Sequence, residues 1–333
     1  MKNRNIKRAF SILEVIFVLV ILGIVSSISS QIIVQVYENY ITQKAIYNVS
    51  TKTELVANQI VNRLTYRIQG TTISKDHDKF LADASPYIEG VDWKKLQNVI
   101  IGGEQYTTIE WIGYDNDSFS AEENPAWSGI ADYENATNLQ FTTPGSNLAK
   151  AEDIIKNLSK DEAGTVQVDL SDSNKPAAVL FEEQDNHYNL ADDRYDPICM
   201  GLIQHGQSAT GTLSSTDCIF SVNRSGSNIL QFIVGSQGAK VISERYKLAW
   251  SAYAIAPEKN AKTGLYDLVL YSNYQPWNGD DYIADGTKNI LLRNVSVFKF
   301  SENGGTIQFK LCAQENIGQD YNVSTCKEKV VIR

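Results

Sequence analysis

The sequence predicts an α+β chain: a long N-terminal α-helix, membrane-spanning and then amphipathic, packed on a mainly antiparallel β-sheet head. Three observations carry this expectation. Residues 1–8 are basic, and the next 29, Ala9 to Tyr37, hold a single charge at Glu14. Apolar positions then recur at helical spacing as far as Ile68. Beyond Gly70 the pattern changes to short β-rich runs separated by Gly, Asn, Asp and Ser. The organisation read from this is a leader over 1–9, a transmembrane or assembly half-helix over 10–36, an amphipathic half over 37–69 and a head over 70–333. A subdomain is expected to be inserted over 115–200.

The first element follows from membrane thickness. A helix needs roughly 20 apolar residues to cross a hydrocarbon core, and Phe10 to Ile28 supplies 19 largely apolar ones. Lys2, Arg4, Lys7 and Arg8 place the stub before it on the cytoplasmic side and the rest of the chain on the other. Glu14 is the exception inside the run. A carboxylate in an apolar helix costs several kcal/mol unless paired or neutralised, so its presence points to a function. An ordinary secretory signal, cut near Ser26 to Gln31, lacks an Ala-x-Ala site.

The residues Lys7-Arg8-Ala9-Phe10-Ser11-Ile12-Leu13-Glu14, followed by the apolar run, resemble the signal of the type IV pilin and pseudopilin superfamily. The resemblance covers the first 40 to 60 residues and has one departure, Ala9 where the family usually has Gly. It implies cleavage between Ala9 and Phe10 by a prepilin peptidase, N-methylation of Phe10, and Glu14 as the intramembrane acid of the mature chain. It also implies partners: other pilin or pseudopilin subunits through the N-terminal helix, and an inner-membrane assembly platform. On assembly, Glu14 would pair with the Phe10 amine of a neighbouring subunit, an attraction strengthened where water is excluded.

The amphipathic half follows from Ile41, Ala45, Val49, Val56, Ile60, Leu64 and Ile68, with Leu55 alongside. No proline precedes Pro86, so Phe10 to about Gln69 reads as one helix of roughly 90 Å, ended by Gly70 with Thr71 and Thr72. Strands are expected at Thr107–Gly113, Leu139–Thr143, Thr165–Leu170, Ala177–Phe181, Ile229–Val234, Lys240–Ser243, Arg245–Ala256, Leu265–Tyr271, Ile290–Phe300, Thr306–Cys312 and Lys329–Ile332, with a short helix at Leu148–Leu158. Arg245–Ala256 and Leu265–Tyr271 read as a hairpin with a long polar loop. The C-terminal run from Leu291 to Leu311 resembles the last strands of the large J-type pseudopilins of type II secretion or of W-type minor pilins. Removal of the leader leaves 324 of 333 residues, a bulky subunit better suited to a fibre tip than to its shaft.

Composition bounds the remaining possibilities. Thirty basic against thirty-nine acidic side chains give −9, which disfavours polyanions, so no nucleic-acid partner is expected; Lys327, Lys329 and Arg333 form the one small basic stretch. Four cysteines suit an oxidising compartment. Cys199 with Cys218 and Cys312 with Cys326 close the shortest of the three possible pairs of loops, while zinc held by all four lacks closely spaced cysteine pairs. Asp280, Asp281 and Asp285, like Asp115 with Asp117 and Asp192 with Asp193 and Asp196, offer oxygen ligands for calcium but fit no EF-hand spacing. Otherwise no cofactor is expected. Asn322 opens an Asn-Val-Ser glycosylation sequence with Asp320 before it.

No enzyme is expected either. Gly206-Gln-Ser208-Ala-Thr210 beside His205 lacks the final Gly of a nucleophile elbow. The resulting expectation is a minor pilin-like subunit, anchored in the inner membrane with its head in the periplasm and then incorporated into a pseudopilus or pilus-type fibre. A signal-anchored periplasmic binding or adhesion protein is the alternative, and a secreted hydrolase a more distant one.

Overall fold

The computed structural model describes residues 11–82, 87–99, 106–119, 125–161, 163–182, 197–198, 200–203, 219–233, 242–317 and 321–332. The chain divides into two compact units, Met1–Thr51 with Gln314–Thr325, and Lys52–Ala313 with Cys326–Arg333.

Helix α1 (Ile12–Thr65) runs through 54 residues, about 80 Å at 1.5 Å per residue. Ala45, Val49, Thr53, Val56, Ala57, Ile60 and Leu64 form its buried stripe. Leu55, expected to flank this stripe, is 59% exposed. The helix also stops short of Gly70. The Ile68 amide donates to Ile112 O at 2.8 Å, and Arg67 bridges Gly113, so the residues after Thr65 are taken up by a strand end instead of a further helical turn.

In the second unit the elements are β1 (Ile73–Lys75), α2 (His77–Leu81), β2 (Trp93–Lys95), β3 (Thr108–Gly113), α3 (Asn116–Phe119), β4 (Gln140–Thr142), α4 (Leu148–Leu158) and β5 (Ala177–Glu182). They continue as β6 (Phe220–Arg224), β7 (Ile229–Phe232), β8 (Arg245–Ala249), β9 (Ser251–Lys259), β10 (Tyr266–Tyr274) and β11 (Thr287–Asn303). The last two strands, β12 (Thr306–Ile317) and β13 (Tyr321–Val331), extend into the first unit.

Two sheets result, with strand orders β13-β12-β11-β10-β9-β3-β1-β2 and β4-β7-β6-β5-β8. The described strand ladders are antiparallel, and one isolated bridge, between Glu89 and Trp93, is parallel. Because β3 and β9 are neighbours, residues 114–250 form an insertion between two adjacent strands of the first sheet. The subdomain expected over 115–200 covers only the first part of this segment. The second sheet is built wholly from the insertion, and residues 129–132 join its edges. Tyr246 N donates to Gly129 O on the β8 side, and Asp132 N to Thr142 O on the β4 side. The sheet is therefore curled closed.

Alternation along β5 shows how the layers are held. Ala177, Val179 and Phe181 enter a core with Phe141, Phe220, Phe232, Tyr246 and the α4 residues Leu148, Ala151 and Ile155. Ala178 and Leu180 point the other way, into a core shared with Ala252, Ala254 and Tyr274 of the first sheet. Strand side chains alternate faces, so a strand apolar at every position is one buried on both.

The expected strand Arg245–Ala256 is two strands. It breaks at Trp250, and its halves serve different sheets. Thr165–Leu170 is not a strand: Ser159 Oγ accepts from Val168 N at 3.1 Å, and Val168 and Leu170 are buried from an irregular segment. Of Lys240–Ser243, residues 240 and 241 lie outside the described residues and the rest is not a strand.

Candidate assembly site

From Ser11 to Tyr40 every described residue is exposed, including Ile12 at 81% and Phe17 at 66%. The helix is long and apolar enough to cross a membrane, with a mean hydropathy of 2.6 over its most apolar window and none of that window buried within the chain. So continuous an apolar surface calls for lipid or another protein to cover it.

Between Ser11 and Tyr37 the only carboxylate of that surface sits in the first turn, where Ser11 and Glu14 cap the helix reciprocally. Ser11 Oγ accepts from the Leu13 amide at 3.3 Å, and Glu14 Oε2 accepts from the Ser11 amide at 3.3 Å. Ser11 O also accepts from the amides of Glu14 and Val15, at 3.0 and 3.2 Å. This Ser-x-x-Glu pairing satisfies N–H groups that a helix start otherwise leaves open, and it puts negative charge at the positive end of the helix dipole. The sequence expectation gave Ser11 no role, although the capping signal is written in the same four residues. Ala9 and Phe10 lie outside the described residues.

The remaining predicted sites fall elsewhere. Cys312 and Cys326 are disulfide-bonded, joining β12 to β13; Cys199 and Cys218 lie outside the described residues. Asp280, Asp281 and Asp285 are neighbours, but each carboxylate serves a local backbone turn. Asp280 accepts from Gln275 N at 2.8 Å, Asp281 from Ile283 N at 2.7 Å and Asp285 from Asp281 N at 2.9 Å. Among the described residues no group of three or more His, Cys, Asp or Glu is placed to hold a metal. Asp192, Asp193, Asp196, His205 and Ser208 lie outside the described residues. Lys327 and Lys329 both pair with Glu54 of α1, Lys327 at 3.4 Å, so the basic stretch is partly neutralised; Arg333 lies outside the described residues. Asn322 is exposed on β13.

One charged cluster was not anticipated. Lys75 Nζ lies 2.6 Å from Glu110 Oε2, and both side chains are almost fully buried. Tyr274 OH donates to Glu110 Oε1 at 2.8 Å, the Phe80 and Tyr282 rings lie 4.5 and 5.2 Å from Lys75 Nζ, and His77 Nδ1 is 3.2 Å from Tyr282 OH. Burial pushes the Glu110 carboxyl up, against the opposing pull of Lys75 and Tyr274, and burial pushes His77 down. The cluster ties β1, β3 and β10 together away from solvent.

Comparison of the chain with family models, with curated proteins and with solved structures gave no match.

Proposed function

We propose that the chain is a minor pilin-like subunit, cut between Ala9 and Phe10 and built into a pseudopilus or pilus-type fibre through its N-terminal helix. The observation that carries this reading is the exposed apolar helix surface from Ile12 to Tyr37, with Glu14 as its one acid and a basic leader before it. Lipid covers such a surface in the free subunit, and neighbouring helices cover it in a fibre. A lone carboxylate near its start supplies what a purely apolar contact lacks, a fixed register. The Ser11–Glu14 cap is compatible with this role. It holds the carboxylate at the helix start, from which it would pair with the Phe10 amine of a neighbouring subunit. The size of the segment after the helix favours a rare or tip position, and assembly, not catalysis, is the activity.

Glu14→Val tests the reading, because valine keeps the span and removes the charge. Its incorporation into sheared fibres is expected to fall by at least about tenfold, the loss of roughly 1.4 kcal/mol of contact, with membrane-bound protein undiminished. A simple signal anchor would be indifferent to the change.

A further inference from the structure

A polar cleft of about 360 Å³ opens where the inserted segment meets the first sheet. Its size falls at the small end of the range of about 300 to 1,000 Å³ usual for small-molecule sites, which favour such seams. Asn273 lines the cleft. The β9–β10 ladder slips register between Tyr271 and Tyr274, and within that irregularity Asn273 takes a left-handed conformation, φ 61°. Bulges of this kind re-aim a side chain out of the regular ladder. The Asn273 amide donates to Ser251 Oγ at 2.9 Å, which fixes the conformer, and its Nδ2 is 3.4 Å from Thr287 Oγ1. Ser272, Thr287 and Asn289 also line the cleft.

The lining also carries Arg63, Lys160, Asp117 and Asp161, two positive and two negative side chains. Asp161 is held in place by the Thr165 amide at 2.7 Å and Gln167 Nε2 at 3.0 Å, and the Arg63 guanidinium lies 5.2 Å from the centre of the Tyr253 ring. Leu158, Trp250 and Tyr253 supply the apolar part of the lining.

We infer that this cleft binds a neutral polyhydroxylated ligand, a saccharide unit. Balanced charges select neither anion nor cation. Carboxamides and hydroxyls each donate and accept, matching vicinal sugar hydroxyls that do the same, and the aromatic lining suits the C–H face of a pyranose ring. The inference is independent of fibre assembly, since no cleft residue belongs to the exposed apolar stretch of α1 from Ile12 to Tyr37.

Saturation-transfer NMR on the detergent-solubilised full chain tests it, with glucose, galactose, mannose and N-acetylglucosamine as probes and glucosamine and glucuronate as charged controls. At least one neutral sugar is expected to show transfer. Asn273→Gly, which tolerates the left-handed backbone, and Asn289→Ala, at an exposed position, are each expected to raise its Kd about fivefold, as for a lost hydrogen bond, with the thermal melt unchanged. Glu14→Val should leave binding intact. Transfer to no neutral sugar, transfer to the charged controls alone, or transfer insensitive to both substitutions overturns the inference.

Discussion

Gly113 and Ser251 face each other across the β3–β9 ladder although residues 114–250 separate them in the chain. The insertion is closed at its base, where Asp115 N donates to Leu248 O at 2.7 Å. Its core is nonetheless shared with the first sheet through Ala178 and Leu180, so the insertion is part of the fold and not a detachable appendage.

Gly113 is required at this junction by space. A Cβ there would lie 2.6 Å from the Tyr253 ring, which is itself stacked on Trp111 at 5.8 Å. Gly113→Ala is expected to destabilise by about 1 to 3 kcal/mol, as overpacking does. Denaturant titration should show a lower midpoint with an unchanged slope.

Asp115 makes stability depend on pH. Burial raises its pKa from 3.8 to about 6, against hydrogen bonds from Ser118 and Trp250. Because the folded value lies above the unfolded one, its contribution is fully present below pH 3.8 and is lost as pH rises through about 6. The loss is at most about 3 kcal/mol. Asp115→Asn removes this titration, so the wild-type stability minus that of the variant should fall between pH 4 and pH 7; a pH-independent difference would contradict the assignment.

Lys75 and Glu110 should behave as a pair. Lys75→Met alone strands a buried carboxylate and is expected to cost about 3 to 5 kcal/mol, whereas adding Glu110→Leu should recover much of it. Additive losses in a denaturation double-mutant cycle would show that the two do not depend on each other.

The Cys312–Cys326 bond closes a loop with a sequence separation of 14. Replacing both by Ser is expected to lower stability by about 3 kcal/mol in the chain-entropy account. Non-reduced peptide mapping should recover this linkage together with Cys199–Cys218; a Cys199–Cys312 peptide would contradict the pairing.

Sequence periodicity reveals what one element decides for itself and hides what distant segments decide together. α4 was legible to the residue because its apolar face repeats at helical spacing and Asn147 caps it, accepting from Lys150 N. Strands β10 to β12 were legible from long β-rich runs. β1 and β2 were not, since three-residue strands carrying Lys75, Lys94 and Lys95 have no apolar alternation to read. The break at Trp250 was hidden because both halves of its run are β-rich, and only their partners differ. At the candidate assembly site, Glu14 was conspicuous as the lone charge in an apolar run, whereas its bond to the Ser11 amide required coordinates. The saccharide cleft was illegible, because it gathers residues from α1, the insertion and the first sheet.

The proposed assembly role requires cleavage between Ala9 and Phe10. Mass spectrometry of the N-terminal peptide, taken from cells that contain a prepilin peptidase, tests it most directly. The account predicts a mature chain that starts at N-methylated Phe10 and continues Ser11-Ile12-Leu13-Glu14; a chain that keeps residues 1–9, or one that starts near Gln31, would contradict it.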